Sequence, residues 1–252
     1  PENDKTLTTT NFILKLNNDL SIANISKVDM SKFDVAPIWD FRGLEDARFV
    51  KWEGEYYLVG VRRDTTTNGE GRMEYSKIDI SDPNNVKEIS RVRMETPEPG
   101  SYCEKNWMPI LDKPFHFIRW SNPIHVVRSN PENGSCQLLH VGNYMNVERE
   151  LRGSSHVIPF KDGYLYITHE VGVWFEPGNR KNGHYKHRFF YVNKDWSINR
   201  YTTPFSFMGA MVEFCTGMAE YGDDLLISFG FTDDAAYILR CPKKLVEGAL
   251  YA

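Results

Sequence analysis

Cysteine is scarce in this chain and carries no pattern: Cys103, Cys136, Cys215 and Cys241 lie far apart and form no C-x-x-C. That excludes a disulfide framework and leads us to expect four free thiols in a reducing, cytoplasmic setting. The short sequons at Asn24 and Asn133 do not alter that expectation. A surplus of one charge is also lacking. The 30 Lys and Arg residues stand against 34 Asp and Glu, a formal net charge of -4. A nucleic-acid partner would need a basic excess or patch. No apolar run approaches the ~20 residues of a membrane span, and the opening PENDKTLTTTNF has no charged-then-apolar leader. We expect a single domain over residues 1–252, either on its own or as a module of a longer polypeptide.

Several chemistries lack their motifs. No G-x-G-x-x-G follows a strand, so a dinucleotide cofactor is not expected. G-x-x-x-x-G-K-[ST], H-E-x-x-H and G-x-S-x-G are missing as well. His116 with His125, and His184 with His187, have no companion ligands, so no metal is expected, and NGHYKHR (182–188) reads as a polar loop.

Long helical periodicity is scarce too, and what remains is short β-rich runs broken by Gly, Asp, Asn and Pro. FRGLEDARFVKWEGEYYLVGVRRD reads as a hairpin turning at Gly54. Similar hairpins turn near Asp112, Gly163 and Gly222, giving spacings of 58, 51 and 59 residues. A second hairpin follows each: MEYSKIDISDPNNVKEISRV, IHVVRSNPENGSCQLLHV, HRFFYVNKDWSINRYTTP and, more weakly, AAYILRCPKKLVEGALYA. A fifth, NFILKLNNDLSIANIS, opens the chain. Two hairpins make four strands, and repeats of ~40–50 residues with four strands mean a β-propeller. Five second hairpins predict an all-β fold of five four-stranded blades, the first incomplete. A β-sandwich with coincidental spacing is the alternative.

Polar residues crowd the same phase of each repeat. Strand entrances hold Glu45, Asp46 and Arg48, then Glu104, Lys105 and Asn106, then Arg152, Ser154 and His156, then Glu213. Strand exits hold Arg62 and Arg63, then Arg119, then His169 and Glu170, then Asp233 and Asp234. In a propeller these positions are expected around one funnel. Paired acids suit cleavage of an acetal, and the cations suit a phosphate. Trp39, Trp107, Trp120 and Trp174 are candidate sugar platforms. Each group also has a plain structural reading. Glu45 with Arg48 could lock a blade, His156 could be a satisfied core histidine, Trp107 and Trp120 could pack between blades, and Asp233 with Asp234 could form a solvated turn.

GLEDARFVKWEGEYYLVGV resembles the "EDPR…YY" segment of the β-mannoside phosphorylases and hydrolases, a five-bladed propeller family. EKNWMPI with FHFIRW resembles its "KN…P…R" segment, GYLYITHEV its third motif, and EFCTGMAEYGDDLLISFGFTDDAAYI its closing stretch. The same string also looks like propeller domains of predicted bacterial glycosyltransferases. The resemblance runs in order over roughly residues 11–239. It implies that Asp46 is the proton donor, that Lys105, Arg119 and His169 hold phosphate, and that Glu213 helps activate water. Two positions depart from the pattern: Ala47 stands for a proline, and Glu170 follows His169 where the family has glycine, so Glu170 would repel phosphate or act as a base.

Together these expectations describe an inverting, mannoside-type enzyme, transferring to or from a phosphorylated donor. Plain hydrolysis comes second, and a non-catalytic glycan- or protein-binding propeller is the rival. Glu45, Arg48, Arg62, Asn106, Trp107, His156 and Asp233 would contact substrate. Partners would be a sugar or oligosaccharide, with phosphate or a sugar nucleotide, and any other domains of a longer chain.

Overall fold

The computed structural model describes residues 7–177 and 180–252, and the side chains of Glu176 and 180–182 are not described. Contacts gather into two compact units. One holds the residues up to Lys105 together with Ser129–Cys136, and the other holds Asn106–Arg128 and Gln137–Ala252.

In unit 1 the strands are β1 (Leu7–Thr8), β2 (Phe12–Leu16), β3 (Ile22–Lys27), β4 (Phe41–Arg42), β5 (Glu45–Trp52), β6 (Glu55–Arg62), β7 (Arg72–Asp79) and β8 (Lys87–Arg93). β5-β6-β7-β8 form a four-stranded antiparallel meander, while β2-β3 and the parallel pair β1-β4 are two-stranded. The first hairpin closes through Glu53 and Gly54, both at positive φ, between the paired Trp52 and Glu55. Such two-residue turns match the twist of the strands they join. Period-2 alternation in β5 puts Val50 and Trp52 inside, while β6, between β5 and β7, buries both of its faces from Leu58 to Arg62. Leu44, Leu58 and Ile78 join Val28 and Val86 in the core of this unit.

In unit 2 the strands are β9 (Met108–Pro109), β10 (His116–Ser121), β11 (Ile124–Ser129), β12 (Cys136–Val141), β13 (Arg152–Gly153), β14 (Ile158–Phe160), β15 (Gly163–Glu176), β16 (Arg180–Asn193), β17 (Ile198–Tyr201), β18 (Glu213–Tyr221), β19 (Asp224–Phe231) and β20 (Ala235–Pro242), followed by helix α1 (Lys243–Tyr251). The tip of β11-β12 counts with unit 1. The sheets run β12-β11-β10-β9, β13-β15-β16-β17 with β14 also on β15, and β18-β19-β20. One core lies among Ile158, Leu165, Ile167, Phe189, Met218 and Ile227. Another lies among Met108, Ile118, Val126, Tyr166 and Phe190.

The meanders follow the expected hairpins, with two corrections. Residues 182–188 are not a loop: they lie in β16, which pairs with β15 continuously from Gly163–Asn193 to Glu176–Arg180. The closing hairpin is a single strand, β20, followed by α1, whose Val246 and Leu250 are buried at helical spacing. Among the described residues, four sheets have three or more strands, and β2-β3 stands apart as a pair.

Candidate functional site

β5, β10 and β18 each carry an extra residue, and two of these three bulges hold candidate site residues. In β5, Glu45 pairs with Val61 and Arg48 with Val59, so Asp46 and Ala47 together oppose Gly60. A Cβ on Gly60 would meet the Glu45 carbonyl at 2.4 Å, so the bulge requires glycine there. Asp46 takes φ +52, rare for a residue with a side chain. The buried Arg48 holds this shape, its Nη1 donating to the Asp46 carbonyl at 2.9 Å. In β10 the extra residue is Arg119, and in β18 it is Thr216. Bulges next to active sites re-aim side chains. Strained backbone at Asp46, at Asn106 (φ +62) and at Asp233 (φ +56) fits the same pattern.

In unit 1 the polar cluster centres on Glu45. Its carboxyl is raised above the ordinary glutamate value, by burial first and the Asp46 charge second, against the pull of Arg63 and Lys105. Its Oε1 is buried with no hydrogen-bond partner. Arg63 donates from Nη2 to Cys103 Sγ at 3.0 Å, and its guanidinium lies 5.7 Å from the Phe41 ring. Arg62, one residue earlier, points to the other face of the strand. There it is 2% exposed and bonds Glu74 at 3.0 Å, with Asp64 at 3.4 Å and Asp34 at 3.6 Å. Arg93 completes this network at 2.9 Å from Glu74. Arg62 is therefore an ion-pair residue, and the arginine beside the acid pair is Arg63. Arg48, 1% exposed, is likewise a bulge anchor rather than a substrate contact.

In unit 2, Asn106 is buried, its Oδ1 has no partner, and its backbone carbonyl lies where a Cβ on Gly153 would sit. Trp107 is not a sugar platform: it is 1% exposed and packs on Phe117. Arg119 is buried with its guanidinium over Trp120, and Trp120 is partly exposed. His169 is 3% exposed. Its Nδ1 lies 2.8 Å from Ser154 Oγ, and its ring stacks on Tyr185 and meets Phe214 edge-on. Glu170 lies 3.6 Å from Arg188. His156 is buried and accepts the Met218 N–H at Nδ1 at 3.1 Å. Asp233 is exposed in the turn after β19.

Glu213 departs from its expected role. It is fully buried, and its two carboxylate oxygens accept the backbone N–H groups of Phe207 (2.6 Å), Met208 (2.9 Å) and Ala210 (2.8 Å). A carboxylate so engaged holds the loop Phe207–Ala210 in place. Sequence reasoning gives no site role to Arg188 or Thr216, takes His187 only as a metal ligand without companions, and takes Cys103 only as a free thiol. His187 lies opposite His169 in the β15-β16 ladder, and strand alternation would have exposed it had 182–188 been read as strand. Among the described residues no three His, Cys, Asp or Glu side chains come together to hold a metal, and no helix is long and apolar enough to cross a membrane. All four cysteines are free.

No family model matches the chain, and no curated protein matches it. Solved structures do. β-1,2-Mannobiose phosphorylase from Listeria innocua, in complex with β-1,2-mannobiose, superposes with a TM-score of 0.58 at 16% identity, covering 86% of this chain and 63% of that one. A Bacteroides ovatus protein provisionally assigned as a glycoside hydrolase gives 0.53 at 13% identity, covering 79% and 68%. A glycosyl hydrolase from the same organism gives 0.51 at 11%, covering 81% and 66%. The chain thus spans less than two thirds of the Listeria enzyme. At these identities the likeness establishes the fold, an all-β propeller.

Proposed function

We propose that the chain makes or breaks a glycosidic bond, by inverting, mannoside-type transfer to or from a phosphorylated donor. The observation that carries this reading is the acid pair in unit 1. Asp46 is held on a strained bulge beside a Glu45 whose burial favours its proton, with Arg63 and Lys105 in electrostatic reach. Asp46 is the proton donor to the glycosidic oxygen, directly or through a sugar hydroxyl. The motif resemblance gives Lys105, Arg119 and His169 the role of phosphate-binding groups. Asn106 and Asp233 are substrate contacts. On this reading the propeller has five blades, with β2-β3 the outer pair of one of them, and works in the cytoplasm. The sugar class rests on the motif resemblance and on the substrate of the Listeria neighbour.

Transfer ranks above hydrolysis for a specific reason. An inverting hydrolase needs a second carboxylate as base for water. Glu213 already accepts three backbone N–H groups, which weakens it as a base, and Glu170 lies 3.6 Å from Arg188. A phosphate oxygen is already a nucleophile and needs no such base. Asp46→Asn keeps shape but removes the proton, and turnover should fall ~10²–10⁴-fold with melting temperature little changed. Turnover with β-1,2-mannobiose and phosphate, read for parent and variant, is the test. Unchanged turnover in a folded variant removes Asp46 from the mechanism. A parent that binds glycan without turnover makes the chain a binding module.

A further inference from the structure

β20 (Ala235–Pro242) is the outer strand of its sheet, and among the described residues no strand pairs with its far edge. Soluble proteins blunt such edges with charge, proline, shortness or a bulge. Two other outer strands here are blunted. β8 reads KEISRVR and shifts register against β7. β17 has 4 residues and shifts against β16. β20 has no such protection up to Leu239. It pairs with β19 from Phe231–Ala235 to Asp224–Pro242 with no shift, and Ala235–Leu239 carry no charge. Tyr237, Ile238 and Leu239 are 44%, 45% and 38% exposed, so apolar side chains flank the edge on both faces. Along the chain the charge at its two ends differs: Asp233 and Asp234 precede the strand, and Lys243, which pairs with Glu220 at 2.7 Å, and the exposed Lys244 follow it.

We propose that β20 is a self-association edge, across which two copies of this chain pair antiparallel about a two-fold axis. Charge selects the orientation. Antiparallel pairing brings the acidic turn of each copy to the lysines of the other at both ends, whereas parallel pairing would set like against like. A two-fold axis perpendicular to the sheet requires a residue to sit opposite itself. With Ile238 in that position, Ala236 faces Arg240 and the acidic turn lies beside Pro242 and Lys243 of the second copy. The pair is an isologous two-fold interface lying wholly on unit 2, and it does not depend on the chemistry proposed above.

Light scattering behind size exclusion, over a range of chain concentrations and at two salt levels, tests it. Expected is a reversible monomer–dimer equilibrium that high salt weakens. Ile238→Lys sets two like charges across the axis and should leave only monomer. Lys244→Glu, on the exposed side of α1, should weaken the dimer about tenfold or more. Circular dichroism of each variant should match the parent. Monomer at every concentration overturns the proposal and leaves the edge to another partner or to solvent. So does a dimer that survives Ile238→Lys in folded protein. Should Ile238→Lys unfold, a dimer indifferent to both Lys244→Glu and salt overturns it equally.

Discussion

Glu45 and Glu213 both start the inner strand of a sheet, and their surroundings give them opposite work. Glu213 has donors for both oxygens. Glu45 is half-buried with Oε1 unpartnered, and its proton affinity is raised. A raised carboxyl contributes stability that is whole below the ordinary glutamate value and is lost as pH climbs through the raised one. Glu45→Gln stays in the neutral form. Its melting temperature should exceed the parent's at neutral pH and converge with it below about pH 4. Curves that run parallel at every pH would show that Glu45 keeps no extra proton. His187 works in the other direction. Burial pushes its imidazole down to about 4, and both ring nitrogens lack partners among Phe205 and Phe207. The unfolded chain takes up that proton near the usual histidine value, so stability present above it is lost as pH falls toward 4. The loss amounts to about 3 kcal/mol when complete. His187→Phe should flatten this acid slope and leave the protein as stable or more so at pH 7, as read by denaturant unfolding from pH 7 to pH 4. An unchanged slope would place the acid sensitivity elsewhere.

Elements were legible where turn chemistry and alternation agreed. Glu53-Gly54 and Gly222 closed the hairpins expected of them. Segment 182–188 looks like loop because of its Asn, Gly, His and Lys, whereas β15 on one edge and the Met211 and Phe205 backbone on the other satisfy it as strand. The final segment was taken for a hairpin although Val246 and Leu250 already had helical spacing. Bulges were invisible, since an extra residue shows only in the pairing register. Trp107 could be buried or exposed on sequence grounds, and packing on Phe117 decided it. The loop Phe207–Ala210 tests the reading of Glu213 as its anchor. Glu213→Gln can accept through only one atom and gains donors facing donors. It should cost ~1–3 kcal/mol and speed amide exchange at Phe207, Met208 and Ala210 selectively. Exchange that rises uniformly, or not at all, would mean the loop stands without the carboxylate.

At the scale of the whole molecule, sequence periodicity reached the propeller but not the blade count. Among the described residues four sheets have three or more strands, and β2-β3 is a two-stranded pair outside them, so a fifth blade is not shown. Solved neighbours at 11–16% identity share the fold, so activity must be read from side chains. Those side chains include the Glu45–Asp46 acid pair with Arg63 and Lys105 in electrostatic reach, and the proposed phosphorolysis rests on them. The most direct measurement is product identity when the chain is incubated with β-1,2-mannobiose, with and without inorganic phosphate. Mannose 1-phosphate of inverted configuration, formed only when phosphate is present and lost in Asp46→Asn, is the expected result. Phosphate-independent release of free mannose alone would contradict it.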